Sequence, residues 1–359
     1  MNSRPEPLHV DALAAIEPDP SRLNTVFVCL SDIRSGKTRS GRPFVDLKLR
    51  DGSGTVAGKI WDDAQAAMEA ITQLRRGQVV KALFRAETYQ GAIQLNVRGL
   101  REVRDGEPRY DPGKVLGDAI GLIGDRLCQT LVFDIETVPA LALDDAPATV
   151  AKAVEERATR NDFDTGMVMG LSPLLGKIVS LAFGDGEVTQ EGGSPEVYAL
   201  VVPPPDHDLA RQASYPSWMI PVSESDLLKA FWCLAEHAEV VVSYNGRAFD
   251  VPFLIGRSLV HGVPAKVDLL GSPYALRPHL DLYRVVTNGR SLGPSTLDMV
   301  CWALGIESPK GVMDGSMVAP TYEAGGIETI AEYNRGDVAA TTAVYHRIRD
   351  TILRYRSDW

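Results

Sequence analysis

The sequence lacks the features that mark several classes of protein. Only four cysteines occur in 359 residues, far apart and in no C-x-x-C pair, so we predict free thiols in a reducing cytoplasm rather than disulfides or a zinc site. No apolar run approaches the roughly 20 residues of a membrane-spanning helix. The first 20 residues lack a basic start followed by an apolar core, and we expect no signal peptide. What is left is a globular chain long enough for two or three domains.

Negative charge is in excess, but it is unevenly distributed. The formal net charge is −10. Residues 1–110 carry 17 Lys and Arg against 14 Asp and Glu, whereas the remainder carries 20 against 33. A mildly basic front part therefore precedes an acidic back part. An acidic domain can still bind a polyanion when divalent cations mask some of its carboxylates, so the charge does not exclude a nucleic-acid-binding protein.

The front part shows short apolar segments separated by turn signals such as GSG and YQG, with a loop predicted over residues 34–43. A helical stretch over residues 63–77 stands between the third and fourth of these segments. Five strands with one helix in that place is the order of an OB-fold barrel. We therefore predict a β-barrel OB-fold domain over residues 1–108, followed by a linker over residues 109–128.

From residue 129 onward strands alternate with helices, which is typical of an α/β sheet domain. We predict this domain over residues 129–359. The Leu, Met and Trp residues of segment 295–304 have helical spacing and are expected in its core. The predicted strands are 130–135, 177–183, 197–202 and 239–243, and the predicted helices are 146–159, 223–237, 249–261, 295–304 and 326–350.

The first strand of this domain ends in two carboxylates. In LVFDIETVPA, residues 131–140, three apolar residues lead directly to Asp134, and Glu136 follows two positions later. Residues i and i+2 of a strand share a face, so the two carboxylates lie side by side and repel each other. A cation, a basic partner or water must offset that cost. Alone, the pair is most simply a solvated end of a strand.

Three further polar groups occur at corresponding places. The segment NGRAFD follows the strand at 239–243 and ends in Asp250 at the start of a helix, where an acid is favoured by the helix dipole. Tyr333 and Asp337 lie four apart on the last helix and therefore share a face. His279 and Asp281 lie at a probable strand end, where we expect structural hydrogen bonds rather than catalysis. Each group alone is weak evidence, whereas the ordered combination is specific.

The combination resembles the DEDD superfamily of 3′–5′ exonucleases, in its tyrosine-bearing (DEDDy) branch. The similarity is greatest to the stand-alone group related to the proofreading exonuclease domain of family B DNA polymerases, and it extends over about residues 129–350. It implies a ribonuclease H-like exonuclease domain. The residues that match the three motifs are Asp134 and Glu136, then Asp250, then Tyr333 and Asp337.

The resemblance also implies a role for each side chain. Two divalent cations, Mg²⁺ or Mn²⁺, would activate water and stabilise the leaving oxygen of a phosphodiester. Asp134 would contact both cations, Glu136 and Asp337 would hold the one that binds the attacking water, and Asp250 would anchor the other. Tyr333 would orient that water, because an ordinary tyrosine pKa near ~10 suits positioning better than proton abstraction.

Some further residues of this domain are candidates for binding the substrate. Thr137 and Asn245 could contact the terminal nucleotide. Phe249 could stack on a base or pack beneath the site, and a place in the plain core is an equal alternative.

The OB domain carries residues suited to single-stranded nucleic acid. Val45, Leu47 and Leu49 alternate with outward residues, which leaves aromatic rings beside a lysine on the outer face, as a stacking platform requires. A packing role for these rings is the alternative. The predicted nucleic-acid-binding residues here are Phe44, Lys59 and Trp61 on the strands, Lys37, Arg39 and Arg42 in the loop after the first strand, and Tyr89 in the loop between the last two strands.

The predicted function is a cytoplasmic, metal-dependent 3′–5′ exonuclease that acts on single-stranded ends and releases nucleoside 5′-monophosphates. DNA is favoured over RNA by the resemblance to polymerase proofreading domains. The alternatives are a 3′–5′ exoribonuclease and a nuclease-fold OB protein that binds strands without turnover.

Overall fold

A computed structural model describes residues 6–124, 126–189, 195–272, 275–289, 291–293, 295–308, 313–357 and 359. The chain divides into two compact units. The first comprises Met1–Leu127 with Glu236–Glu239, and the second comprises Cys128–Ala235 with Val240–Trp359.

The first unit is built mainly from strands. They are β1 (Leu8–His9), β2 (Asp19–Lys37), β3 (Pro43–Asp51), β4 (Gly54–Trp61), β5 (Val79–Tyr89) and β6 (Ala92–Glu102). The helices of this unit are α1 (Gln65–Ala70), α2 (Pro112–Leu116) and α3 (Ile120–Ile123).

Five of these strands close into a barrel. The sheet order is β1-β2-β3-β4-β6-β5, and β5 also pairs with β2, which completes the ring. Helix α1 lies between the third and fourth barrel strands, as predicted. This order is that of an OB-fold, and the prediction of that fold is confirmed.

The barrel interior follows the alternation read from the sequence. Val45, Leu47 and Leu49 are buried in the barrel core, whereas Phe44 and Lys48 point to the outer face. The core is completed by aliphatic residues of the other strands and of α1, among them Val28, Ile60, Ala67, Val80, Leu95 and Val97.

The loop after the first barrel strand is shorter than the predicted loop over residues 34–43. Strand β2 continues to Lys37, because its last residues pair with β3 from Arg34 opposite Asp46 to Lys37 opposite Pro43. Backbone pairing with a neighbouring strand thus extends β2 through a sequence rich in turn-forming residues. Lys37 therefore ends a strand, while Arg39 and Arg42 belong to the loop, and all three side chains are exposed.

The segment predicted as a linker contains two short helices, α2 and α3. Asp111 caps α2 by accepting a hydrogen bond from the backbone N–H of Gly113. The side chains of Val115, Leu116 and Ile123 are buried. The limits of the two domains stay a prediction.

The second unit alternates strands and helices. Its strands are β7 (Thr130–Pro139), β8 (Gly176–Thr189), β9 (Pro195–Val201), β10 (Met219–Pro221), β11 (Val240–Ser243) and β12 (His279–Asp281). Its helices are α4 (Ala148–Asn161), α5 (Thr165–Gly170), α6 (Leu209–Gln212), α7 (Glu224–His237), α8 (Asp250–His261), α9 (Leu282–Val286), α10 (Leu297–Leu304), α11 (Val318–Glu323) and α12 (Ile327–Thr351).

These strands form one mixed sheet in the order β10-β9-β8-β7-β11-β12. Strand β8 is antiparallel to both of its neighbours, β7 and β9. The other pairs are parallel: β10 with β9, β11 with β7, and β12 with β11. This is the α/β ribonuclease H-like arrangement that the resemblance implied. The predicted strands and helices agree with it, although β7 and β8 continue several residues past their predicted ends.

Helix α10 corrects one prediction. Val300 and Cys301 are buried in the core as expected. Met299 and Trp302, also predicted to be core, have exposed fractions of 57% and 85%. The reason is that this eight-residue helix packs by one face only, so apolar residues on its opposite face meet solvent.

Among the described residues, no helix combines the length and the hydropathy of a bilayer-spanning segment.

Candidate active site

Strand β7 places two carboxylates at the point where it leaves its parallel neighbour. Pairing of β7 with β11 ends at Val132, whereas pairing with β8 continues to Pro139. Asp134 and Glu136 therefore lie at the carboxyl end of the parallel part of the sheet, where α/β proteins bind ligands. Both side chains are half-buried.

Helix α12 brings a third carboxylate to the same place. Oxygen atoms of Asp134, Glu136 and Asp337 lie within 4.8 Å of one another. Tyr333, one turn before Asp337, donates its hydroxyl hydrogen bond to the Asp337 carboxylate. Four residues separated by up to about 200 positions in the chain thus lie close together, as the resemblance implied.

Asp250 approaches the cluster from the start of α8. It is buried, and its Oδ1 accepts a hydrogen bond of 3.3 Å from the backbone N–H of Ile135. It therefore contacts β7 beyond the last residue paired with β11. Asp250 is not one of the three residues whose oxygen atoms lie within 4.8 Å of one another. Its negative charge nevertheless raises the pKa of Asp134.

Burial and mutual repulsion disfavour negative charge in this cluster. Burial raises the pKa of Asp134 well above its ordinary value, and the charges of Asp250, Asp337 and Glu136 raise it further. The hydrogen bond that Asp134 accepts from Asn334 opposes these effects. Burial raises the pKa of Asp250 to about 7. Such a group of acids is stabilised by a cation placed among them.

Tyr333 keeps its proton. Burial raises the pKa of its hydroxyl above the ordinary range, and the negative charges of Asp337, Glu136 and Asp134 add to this effect. A hydroxyl in this setting can donate a hydrogen bond or orient a water molecule, but it is a poor base.

The turn between β11 and α8 is held by residues of β12. Asn245 adopts a left-handed backbone conformation with φ 63°, and its backbone N–H donates to Asp281 at 2.8 Å. His279 bonds Ser243 Oγ at 2.7 Å and the Leu269 carbonyl oxygen at 3.0 Å. His279 and Asp281 therefore make the structural hydrogen bonds that were predicted for them.

Gly246, in the same turn, leaves no room for a side chain. A Cβ atom at this position would lie 2.3 Å from Ser243 Oγ and 3.4 Å from Asp250 Oδ2. The glycine thus lets the turn pass close to the carboxylate cluster.

A cavity of about 540 Å³ opens beside the carboxylates. Glu136 and Thr137 line it on the side of β7, and Phe249 lines it from the start of α8. Phe249 is half-buried and packs against Phe253, with ring centroids 5.5 Å apart. The remaining walls come from helix α5 with its flanks and from the segment that contains α11, through Asp164, Gly166, Met167, Gly170, Leu171, Gly315, Ser316, Ala319, Pro320 and Glu323.

Thr137 is partly engaged, because its hydroxyl donates to the Gly170 carbonyl oxygen at 2.9 Å. This bond ties β7 to α5. It leaves the threonine oxygen able to accept a hydrogen bond from a molecule in the cavity.

Sequence reasoning missed Asn334. This side chain is fully buried on α12, and its Nδ2 donates to Asp134 Oδ2 at 2.7 Å. The available signal was an amide between two apolar residues, Ile330 and Val338, each one helical turn away. A polar residue in such a place must have partners, but the sequence does not say which.

The OB unit has its aromatic residues on the outer face, in contact with a lysine. The Lys59 Nζ lies 4.2 Å from the ring centroid of Phe44 and 4.7 Å from that of Trp61. It also pairs with Asp46 at 2.9 Å. The two rings are half-buried, and a Cβ atom at Gly36 would lie 2.6 Å from the Phe44 ring. Tyr89, in contrast, is exposed at the end of β5.

The raised pKa of Asp250 leads to a pH-dependence prediction for the metal-free protein. Between pH 4 and 7 the native state retains a proton that the unfolded chain has released, so Asp250 contributes stability at low pH that is lost as pH rises to about 7. His279, whose pKa burial lowers to about 4, has the opposite slope. We therefore compare the wild type with Asp250→Asn, which keeps His279.

In chelator, we compare the free energy of unfolding of the wild type with that of Asp250→Asn. We expect the difference, wild type minus variant, to fall by up to about 4 kcal/mol from pH 4 to pH 7. Urea unfolding at several pH values measures this difference. Mn²⁺ should reduce this loss of stability with rising pH, because a bound cation takes the place of the proton on Asp250. Parallel pH profiles of the two proteins in chelator would contradict the prediction.

The chain is similar to several known proteins over part of its length. Residues 218–354 match a family described as a predicted 3′-5′ exonuclease related to the exonuclease domain of PolB. A DNA polymerase of Pyrococcus glycovorans is 30% identical over 135 residues, which are 33% of this chain and 17% of the polymerase. The 3′-5′ exoribonuclease YhaM of Geobacillus sp. (strain WCH70) is 28% identical over 82 residues, which are 23% of this chain and 24% of YhaM.

Among solved structures, the family B DNA polymerase of Pyrobaculum calidifontis is similar, with a TM-score of 0.41 and 16% identity. The similarity covers 90% of this chain and 46% of the polymerase. The chain spans 17% and 25% of the length of the first two polymerases it matches. Residues 218–354, most of which belong to the second unit, are thus similar to a family of predicted 3′-5′ exonucleases related to the exonuclease domain of PolB.

Proposed function

We propose that the protein is a metal-dependent 3′–5′ exonuclease that degrades single-stranded nucleic acid, with DNA as the favoured substrate. The observation that carries the proposal is the convergence of Asp134, Glu136 and Asp337 within 4.8 Å, beside a tyrosine hydroxyl and an open cavity. The matched exonuclease family supports the direction of the reaction.

The donor set fits Mg²⁺ or Mn²⁺, two per site. Carboxylate oxygens are the ligands that hard divalent cations prefer, and cysteine and histidine are not among the grouped ligands of the described residues. Asp134, Glu136 and Asp337 would hold one ion, and Asp134 with Asp250 would hold the other. The chemistry that a bound pair supplies is activation of water and stabilisation of the leaving oxygen.

Tyr333 would position the attacking water. Its hydroxyl is held by Asp337 and stays protonated, so it can accept or donate a hydrogen bond without taking a proton. This assigns Tyr333 an orienting role next to Asp337, which would hold the cation that binds the same water.

The cavity beside the carboxylates would take the terminal nucleotide. Its polar side, at Glu136 and Thr137, adjoins the carboxylates, whereas Phe249, Met167 and Leu171 supply apolar surface for a base. Asn245, in the turn before Phe249, would contact the same nucleotide. The phosphodiester to be cleaved would then lie against the carboxylate cluster.

The OB unit would hold a single-stranded end. Phe44, Trp61 and Lys59 offer rings and a positive charge on the outer face of β3 and β4. Further exposed residues are Lys37 and Tyr89 at strand ends and Arg39 and Arg42 in the loop after β2. Because Lys59 lies over both rings and pairs with Asp46, we expect binding to move its ammonium group from Asp46 to a phosphate.

Removing this platform tests the role of the OB unit. Trp61→Ala combined with Lys59→Ala should weaken binding of a single-stranded oligonucleotide by about 10- to 100-fold, since stacking contributes about 1–3 kcal/mol per base. Fluorescence anisotropy in chelator measures the affinity. The control is Lys48→Ala, an exposed residue of β3 outside the ring contacts. Unchanged affinity of the double variant would assign the rings to packing instead.

The choice between DNA and RNA depends on the relatives. DNA is favoured because the matched family and several relatives are related to DNA polymerases, whereas the similarity to the exoribonuclease YhaM favours RNA. A binding module without turnover is the remaining alternative. The four cysteines are buried and form no disulfide, which is consistent with our proposal of a cytoplasmic location.

The experiment that tests the function is digestion of end-labelled oligonucleotides. Single- and double-stranded DNA and RNA of matched sequence are incubated with Mg²⁺, Mn²⁺ or chelator. We expect stepwise shortening from the 3′ end, fastest on single-stranded DNA and absent in chelator. Faster digestion of RNA would establish the exoribonuclease, and binding without shortening would establish the binding module.

A further inference from the structure

Asn334 joins the catalytic carboxylate cluster to the middle of the sheet. Its Oδ1 accepts hydrogen bonds from the Ala182 backbone N–H at 2.7 Å and from Ser180 Oγ at 3.0 Å. Its Nδ2 donates to Asp134 Oδ2 at 2.7 Å. Ala182 is the residue of β8 directly opposite Asp134 in the register. The amide thus spans a pair of facing residues on adjacent strands.

The direction of the amide follows from its partners. A backbone N–H can only donate, so the atom of Asn334 that faces Ala182 must be the carbonyl oxygen. The NH₂ group must then face Asp134, which requires an accepting carboxylate oxygen there. The reverse orientation would place two donors against each other at Ala182 and two acceptors against each other at Asp134.

Asp134 needs such a restraint. It is crowded by the charges of Asp250, Asp337 and Glu136, which tend to push its carboxylate away. The hydrogen bond from Asn334 favours the ionised form and fixes Oδ2 from the side of α12. Fixing one oxygen limits the rotation of the carboxylate and directs its remaining lone pairs.

We propose that Asn334 is a positioning residue that orients Asp134 for divalent-cation binding. This inference rests on the proposed function, because it assumes that Asp134 is a cation ligand. Side chains that hold a ligand from behind commonly change metal affinity by about 10- to 100-fold when they are removed. Ile330 and Val338, one turn before and one turn after Asn334 on α12, are apolar, so packing against them does not call for an amide here.

The test measures cation binding directly. Mn²⁺ affinity is determined by electron paramagnetic resonance for the wild type, Asn334→Ala and Ser180→Ala. Both variants cut the hydrogen-bond chain through Asn334, but only Asn334→Ala loses the donor to Asp134. We expect the Mn²⁺ dissociation constant to rise at least about tenfold in Asn334→Ala and less than about threefold in Ser180→Ala.

The outcomes separate this inference from the proposed function. Absence of Mn²⁺ binding by the wild type would overturn the proposed function. Wild-type binding with an unchanged Asn334→Ala, or an equal loss in both variants, would overturn the role of Asn334 and leave the function standing.

Asn334→Asp keeps the inference testable if Asn334→Ala does not fold. It preserves shape and the two bonds to β8 but presents an oxygen to Asp134. We expect its turnover at saturating Mn²⁺ to fall at least about tenfold, because two acceptors then repel each other. Wild-type turnover by a folded Asn334→Asp would overturn the role of Asn334.

Discussion

Asp134→Ala should abolish metal-dependent digestion while oligonucleotide binding persists. Asp134 is the carboxylate whose pKa is raised by the charges of Asp250, Asp337 and Glu136 together. Losing it removes a ligand from both proposed cation sites. A loss of several kcal/mol of transition-state stabilisation corresponds to a rate reduced by at least about a thousandfold, since each ~1.4 kcal/mol is tenfold.

The measurement is the initial rate on an end-labelled single-stranded oligonucleotide, with binding followed by anisotropy. Glu156→Ala is the matched control, because this exposed acid of α4 lies outside the cluster and forms a 3.9 Å surface pair with Lys152. We expect Glu156→Ala to digest at the wild-type rate. Wild-type digestion by Asp134→Ala would show that the cluster has been assigned the wrong role.

Arg257→Leu should destabilise the second unit by about 3–5 kcal/mol. Arg257 is buried on α8, two turns after Asp250. It makes two hydrogen bonds of 2.8 Å with Glu224 at the start of α7, whose side chain is only 9% exposed. Glu224 also accepts from the Ile178 backbone N–H of β8. Removing the guanidinium leaves a buried carboxylate without its main partner, and that penalty is the source of the expected loss.

Urea unfolding followed by tryptophan fluorescence measures this effect. A Trp61→Phe background confines the signal to the second unit, because the other four tryptophans lie there. Lys229→Ala is the matched control, since it breaks an exposed ion pair with Asp226 on the same helix as Glu224, and it should cost less than about 1 kcal/mol.

A second variant identifies the cause of the loss. Arg257→Leu with Glu224→Leu removes both charges, and it should recover at least half of the stability lost in the single variant. A single-variant loss below about 1 kcal/mol would contradict the account of this buried pair.

Much of the site was predictable because it depends on local patterns. The apolar run before Asp134 specifies a buried strand, and the four-residue spacing of Tyr333 and Asp337 places them on one helix face. The rule that ligand sites lie at the carboxyl ends of parallel strands then brings the end of β7 and the turn after β11 together.

The remainder depends on how distant elements align. Asn334 bonds Asp134 only because α12 crosses the sheet at the level of Ala182, and no local pattern sets that level. The cavity walls come from α5 and α11, which lie about 150 residues apart in the chain. Trp302 was assigned to the core because helical spacing identifies an apolar face but not whether anything covers it.

The most direct test of the cation site is a crystal structure of the protein soaked with Mn²⁺, with anomalous scattering recorded for manganese. The account predicts two anomalous peaks, both in contact with Asp134, one also within about 2.5 Å of Glu136 and Asp337 oxygens and the other nearer Asp250. Occupied manganese sites elsewhere, with none at Asp134, would contradict it.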